Sequence, residues 1–469
     1  MAEEPKTIIG LETHVQLLTK SKLFCSCPTN GPEEPNTRVC DACLGFPGTK
    51  PRLNKAVLDK AIAVAVALNC KFNYLMPWAR KSYFYPDMSK NYQITQYDTP
   101  LAYDGYMMLE FGGETKKIRI KRIHIEEDPA RLVHVGGDIT KSDYTQVDYN
   151  RSGIPLIEVV TQPDLSSPEE ARAYLNKLTS ILEHLGVYDV NFVLKSDANV
   201  NVTGTKRAEV KNISGVKAVE KALAYEVTRH KNMLRSGKVS AQETRHYNPK
   251  TGLTHSLRLK ETEEDYGYII DPDLSWVKIT DVDIKRIKDS LPELPDKRAK
   301  RFMRDYKLNK EQANTLINDK ALADFFEQCI KIYDKPLVIA RWIVTDLMKC
   351  LNYNSITIRD SKATVKDFVE MLKLIDDKTI TESIAKDLIK DYVETGEAPA
   401  KIVKSKGLKR ISEGLDSIIK KVLDSNKQAV SDYKRGNAKA LEFLIGQVMK
   451  ETKGQAEHDK VRELIKKAL

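Results

Sequence analysis

Polar and apolar residues alternate with period two through residues 7–17, 118–126, 198–202 and 256–260. Such alternation turns one face of an extended strand toward a core and the other away from it. Turn formers punctuate this part of the chain at Gly112-Gly113, Gly136-Gly137 and Asp271-Pro272-Asp273. Two helices stand out between the strands. Asn54 caps the first, which runs to about 68. Ser167-Pro168-Glu169-Glu170 opens the second, with proline at the first helical position and acids in the first turn, and Gly186 stops it. The short connections predict antiparallel strands and an α+β fold. Beyond residue 281 the alternation fades and a helical period dominates, over 308–317, 319–333 and 336–351. Leu291-Pro292-Glu293-Leu294-Pro295 reads as a linker, and Gly396-Glu397-Ala398-Pro399 as a second break. The expected segments are 1–281, 282–397 and 398–469. No internal repeat or low-complexity tract is visible.

Composition narrows the class. Hydrophobic residues make up 41% of the 469 positions and charged residues 30%, which fits a folded chain and excludes a largely disordered one. The longest apolar run, at 61–68, falls far short of the ~18 residues a membrane span needs. The opening Met-Ala-Glu-Glu-Pro-Lys has no secretory pattern, so a cytoplasmic protein without a membrane partner is expected. The formal charge of +10 is uneven, for residues 401–469 carry 17 Lys and Arg against 9 Asp and Glu. That basic end suits either a polyanion partner, nucleic acid first, or a solvated helical surface.

Three constellations carry chemistry. Cys25-x-Cys27 and Cys40-x2-Cys43 form two thiol pairs within 19 residues. Four thiolates at that spacing suit tetrahedral Zn(II) with no open coordination position, hence a structural role for the loop 24–44. Four reduced thiols on a loop are the alternative. Cys70, Cys329 and Cys350 lie in apolar surroundings and are expected in the core. Second, period two places Glu12, His14 and Gln16 on one strand face, and His124 and Glu126 on another. Asp197, Asn199 and Glu209 sit on further polar strand faces. Oxygen-rich faces of this kind suit Mg(II), and a solvated sheet face is the competing reading. Third, the stretch from Trp78 to Asp87 mixes Arg80 and Lys81 with Tyr83, Phe84 and Tyr85, a mixture that can bind phosphates and stack on bases or simply pack a core. The sequence holds no Gly-x4-Gly-Lys-Ser/Thr loop and no strand-coupled Gly-x-Gly-x-x-Gly.

Several strings together resemble one family. They are 9–17 (Ile-Gly-Leu-Glu-Thr-His-Val-Gln-Leu), 81–87 (Lys-Ser-Tyr-Phe-Tyr-Pro-Asp) and 92–98 (Tyr-Gln-Ile-Thr-Gln-Tyr-Asp). The 18 positions from Val147 to Asp164, Gln242-Glu243-Thr244-Arg245 and Asp271-Pro272-Asp273-Leu274 complete the set. The family is the B subunit of the tRNA-dependent amidotransferase, GatB, and the resemblance spans essentially the whole chain. Residues 436–440 and 444–450 are similar to the family's tail, which resembles the YqeY proteins. The resemblance implies an antiparallel-sheet cradle over 1–281, a helical domain and a helical tRNA-binding tail. It implies that ATP phosphorylates the side-chain carboxylate of Asp on tRNA(Asn) or Glu on tRNA(Gln). Ammonia released from glutamine by an amidase, the A subunit, then displaces the phosphate, and a small C subunit joins the other two into a heterotrimer. Three departures resemble archaeal members: about three residues missing before Lys195-Ser196-Asp197, Ile213-Ser214-Gly215 in place of Leu-Asn-Ser, and Gly267 in Asp265-Tyr266-Gly267-Tyr268 where Arg is common.

Carried over by motif, Glu12, His14, Glu126 and Glu209 are expected to hold Mg(II) on the substrate phosphates. Arg80 and Lys81 are expected to meet phosphate oxygens, with Arg258 and Lys260 as second choices. Tyr83 and Tyr85 would pack beside the nucleotide or the tRNA 3′ end. Asp197 and Asn199 would orient the aminoacyl end. Glu127, on the opposite face from Glu126, is assigned to the ammonia path, where it would accept the proton of ammonium; a structural salt bridge is its competing role. Two other readings stand beside this one: a B-like subunit of a two-chain Glu-tRNA(Gln) amidotransferase, GatE, and a non-catalytic tRNA-binding zinc protein. An inserted domain expected of GatE has no room before residue 291.

Overall fold

The computed structural model describes residues 4–96, 98–136, 142–238, 241–259, 267–411 and 414–469, and for 257–259 the backbone alone. The chain divides into two units, Met1–Pro295 and Asp296–Leu469.

The first unit is built on a nine-stranded sheet. In spatial order its strands are Leu253–Leu259, Glu243–Asn248, Ala208–Ser214, Lys195–Val202, Thr7–Gln16, Pro155–Thr161, Glu114–Glu127, Ala102–Phe111 and Lys71–Phe72. The alternating segments fall on strands, as expected, Thr7–Gln16, Glu114–Glu127, Lys195–Val202 and Leu253–Leu259, with residue 260 outside the described residues. Ile9, Leu11 and Val15 on the Thr7 strand join Ile123, Ile125, Ile157, Val159, Ala198, Val200 and Val210 in one hydrophobic core. The helices Lys55–Ala67 and Pro168–His184 begin where their caps predict. The Asn54 side chain accepts from the amide of Ala56 at 3.0 Å, and the Ser167 hydroxyl accepts from the amide of Glu170 at 3.0 Å.

One helix of this unit has no clear opening signal in the sequence. Val216–Arg235 carries the crossover from Ala208–Ser214 to Glu243–Asn248, and those two strands pair in parallel within an otherwise antiparallel sheet. A parallel neighbour needs such a crossover because a tight turn cannot reverse the chain twice. Gly215 occupies the cap position at φ 91° and offers no side-chain acceptor, so the usual capping residue is missing.

The second unit is helical in its described residues and holds two hydrophobic clusters. Phe302, Phe326, Trp342, Phe368 and Tyr392 anchor the first, which also takes in Ile402 and Val403 of the helix Pro399–Ser405. The second gathers Leu415, Ile419, Leu444, Ile445, Val461 and Ile465. The stretch 336–351 is not one regular helix, for Ile343–Leu347 forms a π turn between Pro336–Trp342 and Met348–Tyr353. The Thr345 hydroxyl donates to the carbonyl of Arg341 at that point. Among the described residues no helix is long and apolar enough to cross a membrane.

Candidate active site on the sheet face

The registers of four neighbouring strands put the acids and imidazoles of the sequence into cross-strand rows. Lys195 lies opposite His14, His14 opposite Glu158, and Glu158 opposite His124. Directly opposed residues share a face, so these four side chains line one side of the sheet. Glu126 is two residues from His124 and belongs to the same face. Glu12 lies opposite Asp197, and Asn199 opposite Glu209.

Two groups of ligand atoms result, each with its members within 4.8 Å of one another: His14, Glu126 and Glu158, and Glu12, Asp197 and Glu209. The sequence-derived set of Glu12, His14, Glu126 and Glu209 is thus divided between two adjoining groups, and Glu158 and Asp197 complete them. In the first group Nδ1 of His14 is 2.9 Å from Oε1 of Glu126, and Nε2 of His124 is 2.8 Å from Glu158. Burial alone would push both imidazoles down. The hydrogen bond and charge of Glu126 instead lift His14 to about 10, and the charge of Glu158 with bonds to both carboxylates lifts His124 to about 9. Burial would raise Glu126 and Glu158, yet the imidazoles hold both well below the usual carboxylate range.

The second group is less balanced. Nζ of Lys211 lies 3.0 Å from Glu209 and 3.2 Å from Asp197. Glu12 accepts the side-chain amide of Asn199 at 3.0 Å. Burial, then the charges of Glu158, Asp197 and Glu209, push Glu12 up to about 7. A half-buried carboxylate facing three others is short of positive charge, and the oxygen-rich donor set fits a hard divalent cation.

The thiol cluster adjoins the end of the same sheet. One ligand atom from each of Cys25, Cys27, Cys40 and Cys43 lies within 4.8 Å of the others, which fits a four-thiolate metal centre. Cys40 caps the short helix Asp41–Leu44, and its amide donates to Sγ of Cys43 at 3.2 Å. The hydroxyls of Ser89 and Ser152 hold the carbonyl of Cys43 at 2.8 and 3.1 Å. Lys22 is fully buried, with Nζ 3.6 Å from Sγ of Cys43 and 3.2 Å from the carbonyl of Tyr149. The Cys25 thiol, the Cys40 backbone and Lys22 draw Cys43 down to about 5, while burial takes Cys27 up to about 12. Lys22 carries no signal in the sequence beyond its neighbourhood to Cys25.

A cavity of about 230 Å³ lies between the thiol loop and the sheet, lined by Cys43, Arg80, Lys90, Tyr92, Glu127 and Asp273. Glu127 makes an ion pair with Lys90 and accepts from the amide of Ile94 at 3.0 Å. The guanidinium of Arg80 is committed to protein partners, Asp271 at 2.7 Å and Asp273 at 3.0 Å, and stacks 4.3 Å from the centre of the Tyr92 ring. Lys81 is 6.0 Å from the Tyr83 ring centre, and Tyr85 is about half exposed. Arg258 lies opposite Thr244 on the edge strand, where the backbone alone is described. Lys260, Asp265, Tyr266 and Tyr97 lie outside the described residues.

Comparison with known proteins bears on this geometry. The family described as the GatB/GatE catalytic domain matches residues 7–285, and the GatB domain matches 324–469. The B subunit of the aspartyl/glutamyl-tRNA(Asn/Gln) amidotransferase of Thermotoga petrophila is 44% identical over 476 residues, covering 99% of each chain. The protein of that name from Caldanaerobacter subterraneus subsp. tengcongensis is 45% identical over 476 residues, again 99% of each chain. That of Carboxydothermus hydrogenoformans is 43% identical over 478 residues at the same coverage.

Proposed function

The chain belongs to the GatB/GatE family, as an amidotransferase subunit of the carbon–nitrogen ligase type, and from that premise we propose the reaction it performs. ATP phosphorylates the side-chain carboxylate of Asp on tRNA(Asn) or Glu on tRNA(Gln), and ammonia then replaces the phosphate. The match to B subunits over 99% of both chains favours this reading over GatE. A carboxylate resists ammonia because its leaving group would be oxide. Transfer of the γ-phosphoryl to one carboxylate oxygen releases ADP and makes that oxygen part of a phosphate. Ammonia attacks the carbonyl carbon, the carbon–oxygen bond to phosphate breaks, and the extra ammonia proton passes to a base.

The observation that carries the proposal is the pairing of two acidic groups on one sheet face, with Glu12 facing the charges of Glu158, Asp197 and Glu209 and sharing Lys211 with the last two. Glu12, Asp197, Glu209, His14, Glu126 and Glu158 would hold Mg(II), which when bound offsets phosphate charge in a transfer that depends on positioning and electrostatics. Asn199 holds Glu12 in place, and His124 holds Glu158. Glu127 would take the proton given up as ammonium becomes ammonia, with Lys90 balancing its charge. The cavity beside it would keep ammonia from bulk water. The four thiolates would hold a structural zinc that pins the loop to the sheet end. A partner amidase and a small third subunit would complete the enzyme, and the basic end of the second unit would take the tRNA backbone.

The test is ADP release by the complex with its amidase, measured with each misacylated tRNA and with the correctly charged ones. Release that requires ATP, Mg(II) and a misacylated tRNA supports the reading. A complex that binds the tRNA and releases no ADP would make this chain a substrate-presenting protein instead.

A further inference from the structure

The cations on the sheet face are nearly all committed. His14 faces Glu126, His124 faces Glu158, and Lys211 spans Asp197 and Glu209. Arg151 holds Asp128, with Nη2 2.5 Å from Oδ1. Lys195 is different. It heads the row that continues through His14, Glu158 and His124, and Ser214 is its neighbour on the other side. Its charged surroundings are Asp128, Arg151 and Asp87, and it makes no ion pair with any described residue. Asp87 is another carboxyl in those surroundings, and its Oδ1 is buried with no hydrogen-bond partner among the described residues.

A half-buried ammonium that makes no direct ion pair, and whose carboxylate neighbour Asp128 is already held by Arg151, gains from an anion that arrives to share the site. Opposed side chains on neighbouring strands start about 5 Å apart at their β-carbons, and a lysine stem easily spans that distance. An anion held beside His14 is therefore within reach of Lys195. We infer that Lys195 is an anion-binding residue of this site, donating to a phosphate or carboxylate oxygen that enters next to His14. This rests on the proposed phosphoryl transfer, which supplies two such anions, the γ-phosphate of ATP and the side-chain carboxylate on the tRNA.

The test uses the complete complex and three variants, Lys195→Ala, Lys195→Met and Lys195→Arg, with KM for ATP and for misacylated tRNA measured separately through ADP release. The methionine variant keeps the stem and removes the charge, so loss of packing is separated from loss of the cation. The expected result is a tenfold or larger rise in one KM for the alanine and methionine variants, with the other KM within twofold, and at least partial recovery with arginine. A rise confined to ATP identifies the phosphate as the anion, and a rise confined to the tRNA identifies the carboxylate. Both KM values within twofold of the parent, or a loss in kcat alone that arginine does not recover, overturns the inference. If the parent complex itself releases no ADP, the proposed reaction fails, and that outcome is distinct from either result on the variants.

Discussion

Lys211 places its ammonium 3.0 Å from Glu209, inside the acidic group where a divalent cation would sit. Its reach to Asp197 makes it a built-in counter-ion for a cluster of three carboxylates. Lys211→Met should therefore destabilise the metal-free protein, by about 1–2 kcal/mol once the one-third exposure of the lysine is discounted. Mg(II) should restore more stability to the variant than it adds to the parent, because the cation then supplies the missing charge. Unfolding midpoints with EDTA and with Mg(II) measure both effects. Equal Mg(II) stabilisation of the two proteins would separate Lys211 from the cation site.

Glu12 gives the metal-free protein a pH signature. Its folded value of about 7 lies above the ordinary value of 4.5, so the folded state binds this proton more tightly than the unfolded chain. Stability from this group is complete below about 4.5 and is lost as pH rises through about 7. Glu126, held down to about 2, has its full effect throughout that window, and the raised imidazoles begin to lose theirs above their ordinary value of 6.5 and complete the loss as pH climbs through about 9 and 10, in parent and variant alike. Glu12→Gln should flatten the decline between pH 5 and 7 by roughly 2 kcal/mol. Denaturant titrations in EDTA across that range check it, and parallel pH profiles for parent and variant would remove Glu12 as the cause.

The thiol cluster should hold one zinc. Cys40→Ser removes a metal ligand while leaving a residue that can still cap the helix Asp41–Leu44, so zinc content should fall and residues 24–44 should become open to protease. Lys22→Met should leave zinc bound but loosen its hold, since the thiolate of Cys43 loses its nearest cation. Metal analysis of freshly purified, unchelated protein decides the point, and absence of zinc there would leave four reduced thiols.

What the sequence makes legible follows the reach of the signals involved. Caps and alternation act within a few residues, so Asn54, Ser167 and the strand faces of Glu12 and His124 can be read directly. Glu158 cannot. It sits in Leu156-Ile157-Glu158-Val159-Val160, which reads as an apolar strand buried on both faces, and its role depends on His14 and His124, more than 30 residues earlier in the chain. Lys22 and Lys90 are hidden for the same reason, because their partners Cys43 and Glu127 are brought to them by the fold. Alternation already puts Glu126 and Glu209 on polar strand faces and the family resemblance makes them metal candidates, but the division into two ligand groups comes from strand register alone.

The tail prediction depends on where the cores end. Pro399–Ser405 contributes Ile402 and Val403 to the first helical cluster, whereas the second cluster begins at Leu415. A cut after Lys409 should therefore spare the first cluster and remove the second. It should weaken tRNA binding and reduce the slope of log affinity against log salt by about 0.7–0.9 for each phosphate that the shortened chain no longer neutralises. Filter binding at several salt concentrations measures this. An unchanged slope would show that the excess lysines are a solvated surface.

Glu126 and Glu158 sit in one group with His14, and they should fail together. Removing either carboxylate, as in Glu126→Ala or Glu158→Gln, takes away one of the few protein ligands on which a Mg(II) site depends, and it leaves His14 or His124 without its counter-charge. The phosphoryl-transfer step should slow roughly 100-fold or more, which corresponds to about 3 kcal/mol of transition-state stabilisation. Affinity for tRNA should change little, because its main binding surface is assigned to the other unit, and glutamine hydrolysis by the amidase should continue. Added ammonia should not rescue either variant, for the block precedes the step that uses it. A Glu127→Gln variant supplies the contrast. It loses the charge facing Lys90 on the cavity side, so its glutamine-dependent rate should fall while ammonia restores amidation. Rescue of Glu126→Ala by ammonia, or failure to rescue Glu127→Gln, would mean that the two adjacent glutamates have been assigned to the wrong steps of the reaction.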